Sequence, residues 1–351
     1  MMITFENKIV QKDLKEIVSS SYINFEKLRG KTVLITGVSG MLATYLAYTI
    51  YYLDLHENFQ TKILGTARNM EKANAKFHTL SKDYFELIQH DVTLPLEYKG
   101  NIDYIIHAAS NASPRFIATD PVGIIKANTL GTLNLLELAR KKEIQNFLFL
   151  STREIYGKAI KKVLTEQDYG GLDILSQRAC YPESKRMAET LLESYSVQYH
   201  IPYTVARIAH SYGPGMEINN DGRIMSDLIS NVVNNEDIIL KSTGSAERAF
   251  CYILDAITAL FAILLNGESG QAYNVANEDE PIKIKNLAEK LVKLIPEKNL
   301  KVKFDIPKTQ SSAYSTDGRT VMDMSKLETL GWERSVPLDL GLKKTVESFE
   351  E

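Results

Sequence analysis

The chain has 351 residues, 44% of them hydrophobic and 24% charged, with a formal net charge of −3 and an isoelectric point near 6.1. This composition supports a sizeable core, in one large domain or two interlocked ones, and its charge points to neither a nucleic-acid nor a membrane-surface partner. Two cysteines, Cys180 and Cys251, argue against a disulfide framework and fit a reducing compartment.

The first residues lack the basic, then apolar, then small-residue order of a secretory leader, so the expected location is cytoplasmic. The longest apolar run, Met41 to Leu53, is too short for a bilayer and stops at Asp54. No internal repeat stands out, and no metal site is expected.

Residues 1–30 mix charges with Ile9, Leu14, Ile17 and Val18 at roughly helical spacing. That pattern predicts an N-terminal helical extension, packed on the body or on a partner. Lys31–Thr36 then reads as a buried strand. Gly37-Val38-Ser39-Gly40-Met41-Leu42-Ala43 follows at once, and a helix pattern follows that. Strand, glycine turn and helix in this order predict nucleotide binding. The glycines let the backbone approach a pyrophosphate, and the helix N-terminus offers N–H groups to its charge. Ala43 stands where a third glycine is common.

A second strand, Lys62–Ala67, ends at Arg68-Asn69. An acid there would bond the ribose hydroxyls of NAD. Its absence leaves Arg68 to face a 2′-phosphate and keeps NADP open. A third strand, Phe85–His90, ends at Asp91-Val92, with a carboxylate placed to accept from an adenine amino group. A fourth, Ile102–Ile106, leads into His107-Ala108-Ala109-Ser110, small enough for a dinucleotide to lie close. A helix over Thr129–Arg140 precedes a fifth strand, Asn146–Leu150. That strand delivers Ser151-Thr152-Arg153-Glu154 at its C-terminal end, where open parallel sheets bind ligands.

Next comes Ala179-Cys180-Tyr181-Pro182-Glu183-Ser184-Lys185-Arg186. Tyr181 and Lys185 are one helical turn apart and share a face. An ammonium beside a phenol favours the phenolate, which can take a proton from an alcohol while a hydride leaves the same carbon. A lone Tyr-x-x-x-Lys is common by chance, and the glycine turn upstream is what gives it weight. A sixth strand is Tyr203–Ile208.

This alternation predicts an α/β fold with a Rossmann-type doubly wound parallel sheet over residues 31–208. Beyond it, a smaller mixed α/β substrate lobe is expected over 209–351. The lobe should interleave with the sheet around 250–276, because Phe250–Leu254 and Ala272–Val275 read as buried strands.

The motifs Gly37-x-x-Gly40-x-x-Ala43, Ser151-Thr152, Tyr181-x-x-x-Lys185, Arg207-Ile208 with Tyr212-Gly213-Pro214, and Arg248-x-Phe250-x-Tyr252-x-x-Asp255 stand together. With them the chain resembles the extended short-chain dehydrogenase/reductases, the nucleotide-sugar epimerases, dehydratases and decarboxylases. The resemblance covers all but the N-terminal extension. Within the group the chain is most similar to UDP-glucuronate decarboxylases, through Ala112-Ser113-Pro114, Asp120-Pro121-Val122, Gly131-Thr132-Leu133-Asn134, Arg178-Ala179-Cys180-Tyr181, Asp221-Gly222-Arg223 and Leu330-Gly331-Trp332.

The resemblance implies NAD, a nucleotide-sugar substrate and a homodimer. It puts Thr152 and Tyr181 at the hydroxyl of sugar carbon 4, Lys185 on the nicotinamide ribose, and Glu154 at carbon 5 or against the ring. Gly37, Ser39, Gly40, Met41, Leu42, Arg68, Asp91, Val92, Ala108, Ala109 and Ser110 would follow the dinucleotide. Ser113, Arg223 and Arg248 would face the substrate; Arg153 and His210 are further candidates for facing it, Arg153 either binding a carboxylate or phosphate or pointing away.

Two positions depart from the group. Arg153 stands where dehydratases have an aspartate and decarboxylases a serine, and His210 stands where an asparagine is usual. An arginine stays protonated, so it cannot be a dehydratase acid. The expected reaction is decarboxylation of a nucleotide-sugar acid through a transient 4-keto intermediate, with 4-epimerisation or 4,6-dehydration as alternatives. All three begin with the same hydride transfer. The rival from another class is a non-catalytic cofactor-binding scaffold, which has no need of an intact Thr152, Tyr181 and Lys185.

Overall fold

The computed structural model describes residues 3–219, 221–306 and 319–351. Asn220 and the segment 307–318 of the expected substrate lobe lie outside the described residues.

In chain order the elements that position the site are α1 (Lys8–Val18), β1 (Thr32–Thr36), α2 (Met41–Glu57), β2 (Lys62–Ala67), α3 (Met70–Phe77), β3 (Phe85–Gln89), β4 (Tyr104–His107), the short α4 (Pro114–Thr119), α5 (Pro121–Lys142) and β5 (Asn146–Thr152). Then come the two-residue β6 (Val163–Leu164), α6 (Cys180–Tyr199), β7 (Tyr203–Ile208), α7 (Ile224–Val233) and α8 (Ile253–Asn266). A strand over Gln271–Val275 and a last helix over Leu338–Glu350 complete the frame.

Seven strands form one all-parallel sheet. Its order runs from the Gln271–Val275 strand through β7, β5, β4, β1 and β2 to β3. The strand order reverses beside β1, which opens a crevice at the C-terminal ends of β1 and β4. Alternation along β1 decides the two cores. Val33 and Ile35 point to the layer of α2 and α8, while Leu34 points to the layer of α5 and α6. A sheet covered on both faces has strands buried along nearly their whole length, as β1, β2 and β5 are, with apolar centres and polar residues at their ends.

One strand expectation fails. Within Phe250–Leu254 only Cys251 and Tyr252 are extended, and they pair with Ser211 and Tyr212 rather than with the sheet. From Ile253 the chain is helical, and every residue of α8 up to Leu265 is buried. A helix buried all round has no polar face, so its apolar run cannot be told from a strand by periodicity. The helix over Thr129–Arg140 begins earlier than expected, at Pro121. Asp120 caps it by accepting from the Gly123 N–H at 3.0 Å.

The N-terminal helix packs on the body. Val10, Leu14 and Ile17 are buried in the larger core, Ile9 is buried beside them, and α1 lies against α2, α8 and the last helix. Its one buried charge, Asp13, accepts from the Tyr252 hydroxyl at 2.7 Å, the Tyr45 hydroxyl at 3.2 Å and the Lys344 ammonium at 2.9 Å. Among the described residues, no helix is long and apolar enough to cross a membrane.

Candidate active site

A cleft of about 940 Å³ runs across the C-terminal edge of the sheet. One wall is the glycine turn. Gly37 has φ of +62°, and a Cβ there would lie 2.8 Å from the Ala109 Cα, so only glycine fits between the ends of β1 and β4. The Thr36 hydroxyl ties those ends together by accepting from the Ala108 and Ala109 N–H groups at 3.2 and 3.3 Å. Gly40 starts α2 with no side chain capping it, and Ser39, Gly40, Met41, Leu42 and Ala43 border the cleft. First-turn N–H groups of this helix therefore face the cleft, as an anion site requires. On the opposite side Ala108 and Ser110 border the cleft, and the buried Ser110 hydroxyl has no partner among the described residues. An uncapped helix start, a glycine-only turn and an orphan hydroxyl fit a dinucleotide diphosphate.

Arg68, Asp91 and Val92 do not border this cleft. They lie past the ends of β2 and β3, and Arg68 Nη1 sits 3.8 Å from Asp91 Oδ2. Asp91 Oδ1 accepts from the Thr93 N–H and hydroxyl, both at 2.9 Å. The Val92 carbonyl accepts from Asn134 at 3.0 Å, pinning the β3 end to α5. Arg68 thus has a carboxylate beside it, which would compete with a 2′-phosphate.

A cation behind the turn has no counterpart in the sequence reading. Lys76, on α3, is 4% exposed, and its ammonium donates to the Ser39 carbonyl at 2.8 Å. Burial, with Lys72 nearby, pushes its pKa down to about 8.

The other wall comes from β5 and α6. Thr152 ends β5 and caps the following turn, accepting from the Glu154 N–H at 3.2 Å. Tyr181 and Lys185 stand on the first turns of α6, both buried. The Ser184 hydroxyl, between them in sequence, accepts from Asn128 of α5 at 2.9 Å and locks the helix pair.

The expected coupling of Lys185 to Tyr181 is corrected here. Burial pushes the phenol up to about 12, and the neighbouring Thr152 offsets only part of that. The charges acting on the phenol come from Glu154, Arg223 and Arg178. The Lys185 ammonium instead donates to the Leu150 carbonyl at 2.7 Å and lies 4.4 Å from the Phe149 ring centre. Burial pushes its own pKa down to about 7. Helical spacing puts the two residues on one face, but the long lysine chain turns toward the end of β5.

This has a consequence for stability. The unfolded chain keeps protons on Lys76 and Lys185 up to about pH 10, whereas the fold releases them near the lower values. Wherever the unfolded state binds more protons, stability rises with pH. Each lysine adds at most about 1.4 kcal/mol per pH unit. Urea midpoints of dinucleotide-free protein should therefore climb more steeply from about pH 7 to 8.5 in the wild type than in Lys185→Met. Parallel curves contradict the depressed lysine.

Glu154 forms an ion pair with Arg178 at 2.9 Å. Sequence reading quoted Arg178 in a motif but gave it no site role; only the fold brings the β5 end to the start of α6. Ser113 is buried and serves as the N-cap of α4, so its hydroxyl is partly occupied by the helix. Arg223 pairs with the buried Asp221, which also accepts from the Ser226 hydroxyl at 3.1 Å. Arg153, His210 and Arg248 border the same cleft.

Two motif residues turn out to be fold anchors. Asp255 accepts from the Ser335 N–H and hydroxyl at 3.0 and 2.7 Å, and Arg207 pairs with Glu189 at 2.7 Å.

The sheet, the glycine turn and the wall carrying Thr152, Tyr181 and Lys185 define a Rossmann-type, dinucleotide-dependent enzyme. The NAD dependent epimerase/dehydratase family matches residues 33–276, and the chain belongs to it. It is 35% identical to UDP-glucuronic acid decarboxylase 1 of Xenopus tropicalis, over 91% of this chain and 72% of that one. It is 34% identical to UDP-glucuronic acid decarboxylase 6 of Arabidopsis thaliana, over 90% and 88%. Among solved structures, UDP-glucose 4-epimerase from Thermotoga maritima superposes with a TM-score of 0.74 at 21% identity, over 91% of this chain and 98% of that one. UDP-glucuronic acid 4-epimerase from Bacillus cereus, solved with NAD, gives 0.73 at 22%, over 91% and 96%. At such identities these structures show the fold.

Proposed function

We propose that the chain is an NAD-dependent decarboxylase of a nucleotide-activated sugar acid, with UDP-glucuronate as the leading substrate. The observation that carries this reading is the placement of Thr152, Glu154 and Tyr181 on one wall of the cleft that holds the glycine turn on the other. The relatives named decarboxylases, about 35% identical over some nine-tenths of the chain, support it. In this reading residues 31–208 hold the dinucleotide and 209–351 most of the nucleotide sugar.

NAD, held at the turn by the α2 N–H groups and by Ser110, supplies the hydride acceptor. Tyr181 exchanges the proton of the carbon 4 hydroxyl, and Thr152 orients that hydroxyl. Lys185 holds the ribose. Glu154, kept in place by Arg178, positions the ring. A 4-keto sugar acid is a β-keto acid, which loses carbon dioxide readily; the electron pair of the broken bond is left as an enolate over carbons 4 and 5, and a proton from water completes carbon 5. Bound NAD would return the hydride to carbon 4 and so would not be consumed. The phenol form of Tyr181 is the proton donor for that return.

The test is incubation of the purified protein with UDP-glucuronate and with neutral UDP-, dTDP-, CDP- and GDP-sugars, reading product masses. Loss of carbon dioxide from UDP-glucuronate is expected. The same protein, denatured, should release NAD. Turnover of a neutral sugar alone would replace this reading with 4-epimerisation or dehydration, and released NADP would overturn the choice of NAD.

We also propose a cytoplasmic homodimer formed across α5 and α6, where Ile125, Leu130, Met187 and Val197 are exposed. A solution mass near the 39.6 kDa of one chain contradicts the dimer.

A further inference from the structure

The two positions at which this chain departs from its group lie 57 residues apart in sequence and meet in the cleft. Arg153 Nη1 stands 3.4 Å from His210 Nε2. A guanidinium can only donate, so the imidazole must face it with a lone pair. His210 holds this position at a φ of +47°, a left-handed conformation that a side chain adopts at a cost, and such strain concentrates at functional sites. Desolvation by the surrounding protein, with the charges of Arg153 and Arg248 added, lowers the ring's pKa from its ordinary value, although the residue is exposed on the open cleft.

Arg248 enters the same space from the substrate lobe, close enough to Arg153 for the two charges to repel. Its guanidinium donates to the Glu247 carbonyl at 2.8 Å. Among the described residues neither arginine has a carboxylate partner, whereas Glu154 is taken by Arg178 and Asp221 by Arg223. Two guanidiniums that repel each other, beside a neutral acceptor, are stabilised by an anion placed between them.

We propose that Arg153, held by His210, is a specificity-determining residue that binds a carboxylate on the substrate's sugar, with Arg248 as the second fork. Arg153 follows Thr152 directly, so the anion it reads belongs to the reacting end of the sugar. This rests on the nucleotide-sugar reading but not on decarboxylation. It also says at which stage the residue acts. Losing carbon dioxide removes the charge that Arg153 grips, so the contact strengthens substrate binding and gives the chemical step nothing.

The experiment is calorimetric titration of the holoenzyme with UDP-glucuronate, UDP-glucose and UDP, for wild type, Arg153→Ser, Arg153→Lys and His210→Asn. Wild type should favour the uronate over UDP-glucose by about 10- to 100-fold. Arg153→Ser should lose most of that preference while its affinities for UDP-glucose and UDP stay put. Lysine, a point charge without the fork, should keep part of it, and His210→Asn should erode it. In turnover, Arg153→Ser should raise KM for the uronate with kcat nearly unchanged. Dinucleotide content and melting temperature check that each variant is folded, and Arg153→Lys carries the test if serine is not tolerated.

A wild type that binds the uronate no better than UDP-glucose overturns the proposal. So does an Arg153→Ser enzyme that weakens all three ligands equally, or one whose kcat falls with KM unchanged. If the uronate is preferred but no carbon dioxide is released, decarboxylation fails and the role of Arg153 stands.

Discussion

Tyr181→Phe is expected to cost about 10²- to 10⁴-fold in turnover on the true substrate, with bound dinucleotide and melting temperature at wild-type levels. The substitution removes one oxygen. The ring, buried with Ile117 and Ile124, keeps its packing. The hydroxyl is the proton-exchanging group on the wall that also carries Thr152, and Thr152 offsets part of its burial penalty. Activity within a few-fold of wild type would remove Tyr181 from the mechanism.

The second large effect lies far from the chemistry. Asp13→Ala should destabilise the protein by about 3–5 kcal/mol, measured by urea unfolding. Asp13 is fully buried, and its carboxylate is the shared acceptor for Tyr45 of α2, Tyr252 ahead of α8 and Lys344 of the last helix. Removing it leaves two phenols without their acceptor and the Lys344 ammonium with only the longer contact to Glu16, at 3.4 Å. Burial raises the Asp13 pKa in spite of Lys344, so the carboxylate itself is costly to hold. The loss therefore comes from stranded partners rather than from a favourable ion pair. Lys344→Met in the Asp13→Ala background should recover part of the stability, because it removes the stranded charge. A change below about 1 kcal/mol for Asp13→Ala would show that the N-terminal helix is an ornament on the fold.

The sequence alone determined the parallel sheet. β2 and β7 fall on the residues expected of them, and β1, β3 and β5 differ by one or two at an end. Each is a short apolar run closed by small or polar residues, a local pattern that needs no partner to be read. The glycine turn was legible for the same reason, since Gly37 and Gly40 answer to the backbone of their own loop. Tertiary structure alone decided what the long side chains do. Lys185 turns to Leu150, Glu154 to Arg178, Arg153 to His210 and Asp13 to three elements at once. These choices depend on which chain ends the sheet order brings together, and the spacing of residues along one helix contains nothing about them. The same holds for α8. An apolar run reports that it is buried, but strand or helix is settled by whether neighbouring backbone stands ready to pair. There the sheet edge beside β7 is taken by Gln271–Val275, and the run beginning at Ile253 satisfies its own hydrogen bonds as a helix.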